Sequence, residues 1–275
     1  MKIVRMKLKM IDKKIKKNVF VIPSWYPVAN DNISGIFIKE QVEAISLFEP
    51  NVNQYVSTWG HSLGHLSLRL PKKIFNSLIW RIKNTVSNTH KIRDNIVEIF
   101  NPSLSWSNQL PFGGYKTMLS SNRKNLLEAI RLSKNNIHII HAHCVYPGGV
   151  IANILSNEFN IPYFITEHMG PRIPSLLNNG KPIDIIIKAY RNADKVIAVS
   201  PYLKEKLLEY DLKKVTVIPN LVNEKKFLLS KKNNRKFIFF SLGIMTKVKG
   251  IDVLLKAIKR CNLSSENTEF WIGGD

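Results

Sequence analysis

The chain has 275 residues, of which 44% are hydrophobic, and this is enough for one large domain or two smaller ones. Its 41 lysine and arginine residues against 20 acidic ones give a formal net charge of +21, which indicates an anionic partner such as nucleic acid, a membrane surface or a phosphorylated substrate. The two cysteines, Cys144 and Cys261, lie far apart without CxxC spacing, which argues against a disulfide-stabilised domain and favours a reducing compartment. No apolar run approaches the roughly 20 residues that cross a bilayer, so we expect a cytoplasmic protein, either free or peripheral on the inner face of the membrane.

Residues 1–17 form a basic tail, which is either a membrane-touching arm or a frayed terminus, and we expect the frayed terminus. Asn18 to Trp25 is a predicted buried strand, and a polar loop leads from it to Gly35. The helix that follows has Ile38 and Val42 on one face. Strand, glycine-containing loop and helix predict the start of a nucleotide-binding βαβ unit, in which Gly35 lets the backbone approach a phosphate. Many such turns also need glycine for their geometry alone.

After a predicted strand from Asn53 to Trp59, the stretch from Pro71 to Val86 predicts an amphipathic helix without an acidic residue. Its apolar face consists of Ile74, Phe75, Leu78, Ile79, Ile82 and Val86. The basic residues at its borders are Lys72, Lys73, Arg81 and Lys83, and Trp80 lies near the boundary. This pattern is typical of a helix on an anionic membrane surface. It is equally typical of a core-facing helix with a solvated basic side.

Strands and helices alternate through the middle of the chain. The further predicted strands are Ile96–Phe100, Ile137–His143, Ile161–His168, Val196–Ser200 and Val215–Ile218, and the further predicted helices are Tyr115–Lys134, Gly148–Asn160, Ile183–Ala193 and one beginning after Ser200. This alternation predicts an α/β domain with a mostly parallel sheet over residues 18–222. The lysine-rich residues 223–236 are a predicted linker. Residues 237–275 predict the first βαβ of a second domain, which we expect to be incomplete because one such unit cannot bury both faces of its sheet.

Two neighbouring predicted strands end in histidine, one at His143 and the other at Glu167 and His168. Ligands bind beyond the carboxyl ends of the strands in an open α/β sheet, so this pattern predicts a site formed by these three residues. His141 is interpreted as a hydrogen-bonded core histidine. Three histidines with Glu167 as base could bind zinc, but bare HxH spacing is common, and we expect no metal. Glu167 and His168 could alternatively cap the turn that follows.

Short motifs along the chain together carry a resemblance to a known family. They are Ser24-Trp25-Tyr26-Pro27 with Gly35-Ile36-Phe37, His141-Ala142-His143 with Tyr146-Pro147 and Gly149, Thr166-Glu167-His168, Val199-Ser200, Val217-Ile218-Pro219-Asn220, and Gly243 with Lys249-Gly250. Their order and spacing resemble the retaining glycosyltransferases of family 4, which have the GT-B fold. The resemblance implies two Rossmann-like domains, of which the N-terminal one holds the acceptor and the C-terminal one holds a nucleotide sugar.

The resemblance also implies roles for individual residues. The implied donor-binding residues are Gly35, Ser200, Asn220, Gly243 and Lys249. By the same resemblance, His143 lies beside the transferred sugar, and Lys249 neutralises the diphosphate leaving group, whose developing charge cations and backbone dipoles stabilise. No cofactor is expected, because the family typically needs no bound metal and the nucleotide sugar is a substrate. Alternatively, Ser200 only caps a helix, Asn220 only turns the chain, and Lys249 is a solvated lysine.

Two features depart from the family pattern. Ile244 stands where the family has an arginine after the glycine of the phosphate loop, and a lysine cannot replace that bidentate contact. The family's paired-glutamate motif is expected beyond Asp275. We therefore expect a truncated glycosyltransferase of polysaccharide or lipopolysaccharide biosynthesis, with a lipid-linked or glycan acceptor at an anionic membrane. We expect the chain as given to bind a nucleotide sugar poorly and to turn over little or nothing. The alternative is a catalytically inactive module that docks on a membrane or a partner. No nucleic-acid partner is expected, since no helix-turn-helix, zinc-finger, RRM or KH pattern is present.

Overall fold

The computed structural model divides into two compact units, one ending at Val222 and the other beginning at Asn223. The residues that the structure describes are 16–29, 31–67, 71–134, 136–170, 177–178, 181–212, 214–227, 236–243, 245–261 and 266–274. Ile244, Asp275 and most of the basic tail, all singled out in the sequence, lie outside these ranges.

The first unit alternates strands with helices, as the periodicity predicts. Its elements are β1 (Lys17–Pro23), α1 (Ile36–Phe48), β2 (Val52–Thr58), α2 (Pro71–Lys83), β3 (Asn88–Arg93), β4 (Ile96–Phe100), α3 (Tyr115–Leu132), β5 (Ile139–His143), α4 (Val150–Phe159), β6 (Tyr163–Glu167), β7 (Leu177–Asn178), β8 (Lys181–Pro182), α5 (Asp184–Asn192), β9 (Lys195–Ala198), α6 (Pro201–Leu208) and β10 (Val215–Val217).

Eight of these strands form one sheet in the order β10-β9-β6-β5-β1-β2-β4-β3. All neighbours in it are parallel except β3 and β4, which run antiparallel. The prediction of an α/β fold with a mostly parallel sheet is therefore confirmed. The edge strand β3 was missed, because its side chains are mostly exposed and it carries no hydrophobic pattern that would mark a strand.

The centre of the sheet is the most deeply buried part of the unit. Phe20, Val21 and Ile22 of β1 are completely buried, as expected for a parallel strand covered by helices on both faces. The register pairs Pro23 of β1 with His143 of β5, and His143 with Thr166 of β6. Three adjacent strands therefore end at one edge of the sheet, and the loops that follow them meet there.

The second unit is a single βαβ. It consists of β11 (Phe237–Leu242), α7 (Ile251–Arg260) and β12 (Thr268–Gly273), and its two strands are parallel. The helix begins and ends at the predicted residues. Several large apolar side chains of this unit are exposed, among them Phe237, Phe240 and Trp271. The physical reason is that two strands and one helix cannot bury both faces of a sheet.

Candidate active site at the carboxyl edge of the sheet

His143 ends β5 and lies at the centre of the candidate site. It is fully buried, and its main-chain carbonyl accepts hydrogen bonds from the Ser24 hydroxyl (2.6 Å) and the Ser24 N–H (3.3 Å). The Ser24 hydroxyl in turn accepts a bond of 3.0 Å from the N–H of Gly148. These bonds tie the loop after β1 to the turn after β5, so the position of the histidine is fixed by two chain segments.

The imidazole of His143 is linked to a second ring. Its Nδ1 lies 3.2 Å from Nε2 of His168, and the two rings stack with centroids 5.5 Å apart. Nε2 of His143 and Nδ1 of His168 are buried and have no hydrogen-bond partner among the described residues. Phe37 of α1 packs against the His168 ring at a centroid distance of 4.5 Å. The helix that begins after Gly35 therefore reaches the same rim of the sheet as the His143 ring.

His141 faces the interior of the unit. Its Nε2 lies 2.8 Å from the hydroxyl of Thr166, and its ring stacks on Phe164 at 4.1 Å. The structure thus agrees with the interpretation of His141 as a hydrogen-bonded core histidine. Within the described ranges, no group of three or more histidine, cysteine or acidic side chains is arranged to hold a metal ion.

The imidazoles of His141, His143 and His168 are neutral at neutral pH. Burial lowers the pKa of His141 to about 3. Burial also lowers the pKa of His143 well below its ordinary value, and protonation of His141 or His168 would lower it further. The pKa of His168 is lowered by burial as well, while the Glu167 carboxylate and the Asn220 side chain act in the opposite direction. A neutral imidazole can donate or accept a hydrogen bond without bringing a charge into the site.

Glu167 holds the loop that carries His168. Its Oε1 accepts hydrogen bonds of 2.9 to 3.0 Å from the main-chain N–H groups of residues 168–170. Its Oε2 accepts from the N–H of Val145 at 2.8 Å and from the hydroxyl of Tyr190 at 2.6 Å. Both oxygens are therefore occupied by the protein, which is the geometry of a positioning residue. A chemical role for this carboxylate stays a prediction.

Gly35 is explained by the backbone around it. Its φ is +74°, in the left-handed region, and a Cβ placed there would lie 2.4 Å from the carbonyl oxygen of Trp25. The close approach and the backbone angle both require glycine. A role in binding a donor phosphate stays a prediction.

Ser200 and Asn220 follow β9 and β10 respectively. The Ser200 hydroxyl caps α6 by accepting from the N–H of Leu203 at 3.1 Å, and Pro201 occupies the first turn. This is the helix-start chemistry that the sequence predicts. Asn220 is exposed and approaches His168 closely enough to affect its pKa, so it belongs to the rim of the histidine site. Binding of a donor by either residue stays a prediction.

In the second unit, Gly243 and Lys249 lie together after β11. The N–H of Gly243 donates to the carbonyl of Gly273 at 3.0 Å, and the position of a Cβ on Gly243 is 4.0 Å from Cγ of Lys249. Lys249 is exposed, so its ammonium group is accessible. This arrangement is compatible with the predicted phosphate loop, whose function stays a prediction.

His61 is a candidate that the sequence reasoning missed. It follows β2 at the same edge of the sheet, and its ring packs against Trp59 in a tilted arrangement with centroids 4.1 Å apart. Burial lowers its pKa to about 3. Both ring nitrogens are buried and have no partner among the described residues. The sequence contained a signal for His61, since a histidine at or just beyond the end of a predicted strand is the pattern that identified His143.

The structure of α2 differs from the sequence interpretation in the position of Trp80. Trp80 packs inward, in an edge-to-face contact with Phe100 and close to Gly60, so it is not a surface contact of the helix. Ser77, on the same side, is buried and donates to the carbonyl of His65 at 3.0 Å. The apolar residues that point to solvent, from the helix and the turn after it, are Phe75, Leu78, Ile82 and Val86. The core-facing interpretation therefore does not hold for these four residues, whereas Ile74 and Ile79 of the same predicted face are half-buried.

Comparison with known proteins agrees with the fold. Residues 106–226 match the model of Glycosyltransferase Family 4. An uncharacterized glycosyltransferase of Methanocaldococcus jannaschii is 34% identical over 139 residues, which are 49% of this chain and 38% of the relative. The chain therefore spans well under two thirds of the length of the curated relative that it matches.

Solved structures share the fold at low sequence identity. The N-terminal domain of trehalose-6-phosphate phosphatase from Candida albicans has a TM-score of 0.58 at 11% identity, covering 95% of this chain and 65% of that chain. The catalytic domain of starch synthase IV from Arabidopsis thaliana, bound to ADP and acarbose, has a TM-score of 0.53 at 14% identity, covering 94% and 68%.

The fold is that of GT-B proteins, and the matched stretches of sequence are similar to glycosyltransferases. The stretch that resembles glycosyltransferase family 4 is residues 106–226, which is under half of the chain.

Proposed function

We propose that the protein transfers a sugar, with retention, from a nucleotide-sugar donor to a glycan or lipid-linked acceptor at an anionic membrane surface. The observation that carries the proposal is the ring of His143. It lies at the carboxyl edge of the sheet, is buried and neutral, and presents an Nε2 atom with no partner among the described residues. A buried polar atom without a partner marks a place where a ligand group completes the hydrogen bonding.

His143 acts directly on the donor sugar in this proposal. The bond between His143 and His168 holds the ring in one orientation, and only one of the two bonded nitrogens carries a proton, so the tautomer of one ring sets that of the other. Nε2 then hydrogen-bonds a hydroxyl of the sugar and stabilises the charge that develops as the bond to the leaving group breaks. In this proposal, Glu167 positions the loop that carries His168.

The donor diphosphate is assigned to the loop after β11 in the second unit. Lys249 supplies an accessible positive charge beside Gly243 in the second unit. In the first unit, taken by itself, Gly35, Ser200 and Asn220 are the candidate donor-binding residues. The starch synthase neighbour is bound to ADP, which supports a nucleotide sugar as the donor, and a leaving diphosphate is stabilised by such cations and dipoles without being consumed.

Transfer is tested with the purified chain and a panel of UDP-, GDP- and ADP-sugars, by measuring nucleotide release with and without a mixed glycan acceptor. His143→Asn should reduce turnover by about 10² or more, the effect of removing one preorganised transition-state donor. The matched control is His90→Asn, because His90 is exposed on β3, far along the sheet from β5. Equal turnover in the two variants would refute the role of His143. Calorimetry with UDP and GDP then separates an enzyme from an inactive module, which would bind neither nucleotide.

Membrane attachment is assigned to the exposed stripe of α2. The helix has no acidic residue, and its lysines Lys72 and Lys83 are exposed beside the apolar side chains of Phe75 and Ile82. This combination fits an anionic lipid surface, where apolar groups enter the interface and lysines meet the headgroups. Lys73 and Arg81 are half-buried and contribute less. None of the helices in the described ranges is long and apolar enough to cross a bilayer.

The attachment is tested by co-sedimentation with vesicles of phosphatidylglycerol and of phosphatidylcholine. At about 1 kcal/mol for each surface lysine, replacing Lys72 and Lys83 by serine should weaken binding to the anionic vesicles by about 30-fold. Ile82→Ser should also weaken it, whereas Phe48→Ser, an equally exposed apolar residue on α1, is the matched control. Equal binding to both vesicle types would contradict the assignment.

A further inference from the structure

A cavity of about 540 Å³ lies beyond the carboxyl edge of the sheet in the first unit. The loops that follow β2, β4 and β5 and the start of α3 form its walls. The residues that determine its chemistry are His65, Trp106, Asn108, Gln109, Met118 and Tyr146. Its volume lies within the range of roughly 300–1,000 Å³ typical of small-molecule sites. Tyr146 belongs to the turn directly after β5, which ends at His143, so an occupant of the cavity approaches the edge of the sheet that carries the histidine site.

The walls of the cavity carry no formal charge. Among the described residues that line it, none is acidic, lysine or arginine, although the chain as a whole has a net charge of +21. His65 is the one titratable imidazole among these residues, and burial together with the charge of Lys73 lowers its pKa, which keeps it neutral. A site built for a phosphate or a carboxylate would offer cations, as phosphate sites elsewhere do.

The polar groups of the cavity are held in place by the surrounding chain. Nε1 of Trp106 donates to the carbonyl of Pro111 at 3.0 Å, which fixes the plane of the indole. The hydroxyl of Tyr146 accepts from the N–H of Tyr115 at 3.1 Å, so that its own proton remains a donor. A Cβ on Gly114 would lie 2.2 Å from the Tyr146 hydroxyl, and glycine at this position therefore keeps the phenol in place.

We infer that this cavity is the acceptor subsite and that it takes an uncharged, hydroxyl-rich unit, a neutral saccharide residue. Indole and phenol faces pack against the C–H face of a sugar ring, while amide and hydroxyl groups pair with its hydroxyls without desolvating an ionised group. The inference rests on the proposed transferase function, and it narrows the acceptor to one whose accepting end is a neutral sugar. The lysine and arginine side chains that give the chain its positive charge then contact other ligands than the sugar in this cavity.

The test uses saturation-transfer NMR with free sugars as probes. Methyl glucoside, methyl mannoside and N-acetylglucosamine should receive saturation from the protein, whereas glucuronate and glucose 6-phosphate should bind at least tenfold more weakly. Trp106→Leu should lower the affinity for the neutral glycosides by at least tenfold. Gln109→Ala changes an exposed side chain, leaves the fold intact and should lower the affinity about threefold. Trp271→Leu, in the second unit, is the matched control and should have no effect.

Two outcomes would overturn the inference. One is binding of the anionic sugars as tight as that of the neutral ones, and the other is an unchanged affinity in both Trp106→Leu and Gln109→Ala. Failure of the transferase proposal has a different signature, because the neutral glycosides would then still bind in a Trp106-dependent manner while no donor is turned over. A measurable transferase activity that is insensitive to Trp106→Leu would overturn the cavity assignment alone.

Discussion

Replacing Glu167 by glutamine is the most informative single change in the first unit. The side chain is completely buried, and its two oxygens accept five hydrogen bonds from the N–H groups of residues 168–170, the N–H of Val145 and the hydroxyl of Tyr190. Glutamine has the same shape but only one oxygen. Whichever way its amide is turned, an NH₂ group faces a main-chain N–H, because four of the five partners are main-chain donors.

The size of the effect follows from that count. With the amide oxygen kept towards residues 168–170, the N–H of Val145 loses its acceptor, which costs about 1–3 kcal/mol for a buried donor. The three bonds from residues 168–170 change from bonds to a charged acceptor to bonds to a neutral one, at about 0.5–1 kcal/mol each, while the Tyr190 hydroxyl can turn to accept from the new NH₂ group. Together these terms predict a loss of about 4 kcal/mol in the free energy of unfolding. Tyr190→Phe removes one partner and should cost about 1–2 kcal/mol.

The assay is urea denaturation followed by tryptophan fluorescence in a Trp271→Phe background, so that the signal comes from the first unit alone. Glu158→Gln is the matched control, because Glu158 pairs with Arg123 on the surface, with bonds of 2.8 and 2.9 Å. A surface pair of this kind contributes at most about 1 kcal/mol. If Glu167→Gln destabilises the unit no more than Glu158→Gln, the interpretation of the carboxylate as the clamp of this loop is wrong.

Three further predictions concern stability. In chemical denaturation, Gly35→Ala should lower the free energy of unfolding by about 2 kcal/mol more than Gly170→Ala does. Both glycines have positive φ, but a Cβ on Gly35 would meet backbone atoms, whereas a Cβ on Gly170 would meet a flexible leucine side chain. Equal losses of free energy in the two variants would contradict this reasoning. Ser200→Ala should lower the melting temperature through a cap loss of about 1 kcal/mol, and Ser200→Asn should restore it. The pKa of His141 is lower in the folded chain than in the unfolded chain, so below pH 6.5 the unfolded chain binds a proton that the folded chain excludes. The free energy of unfolding should therefore fall by up to about 1.4 kcal/mol per pH unit from pH 6.5 towards pH 3. In His141→Gln, the same pH series should show a smaller fall per pH unit.

The periodicity of the sequence was sufficient for most elements of the fold. The helix from Ile251 to Arg260 and the strand from Ile96 to Phe100 have the predicted bounds, because an apolar stripe and a short apolar run between turn residues are local signals. The polar strand β3 has no such signal, since it is held by backbone hydrogen bonds to β4 at the exposed edge. For α2, the sequence identified an apolar face but not its direction, which depends on the packing of Trp80 and Ser77 against the loop after β2.

The candidate site was located in part from the sequence. The strand-end rule found His143 and His168, because it depends on where apolar runs stop. It could not distinguish their roles from that of Glu167, whose partner Tyr190 lies on α5, 23 residues further along the chain. The cavity beside Trp106 was not predicted either, since its walls come from separate loops that only the sheet brings together.

The amino-acid sequence by itself determined the alternation of strands and helices, and with it the parallel sheet whose carboxyl edge bears the histidines. These features depend on hydrophobic periodicity and turn residues, which act over a few residues at a time. Only the tertiary structure decided which polar side chains have hydrogen-bond partners within the protein and which have an atom left for a ligand. The carboxylate of Glu167 is fully bonded and Nε2 of His143 is not, because hydrogen-bond partners and burial are set by segments far apart in the chain.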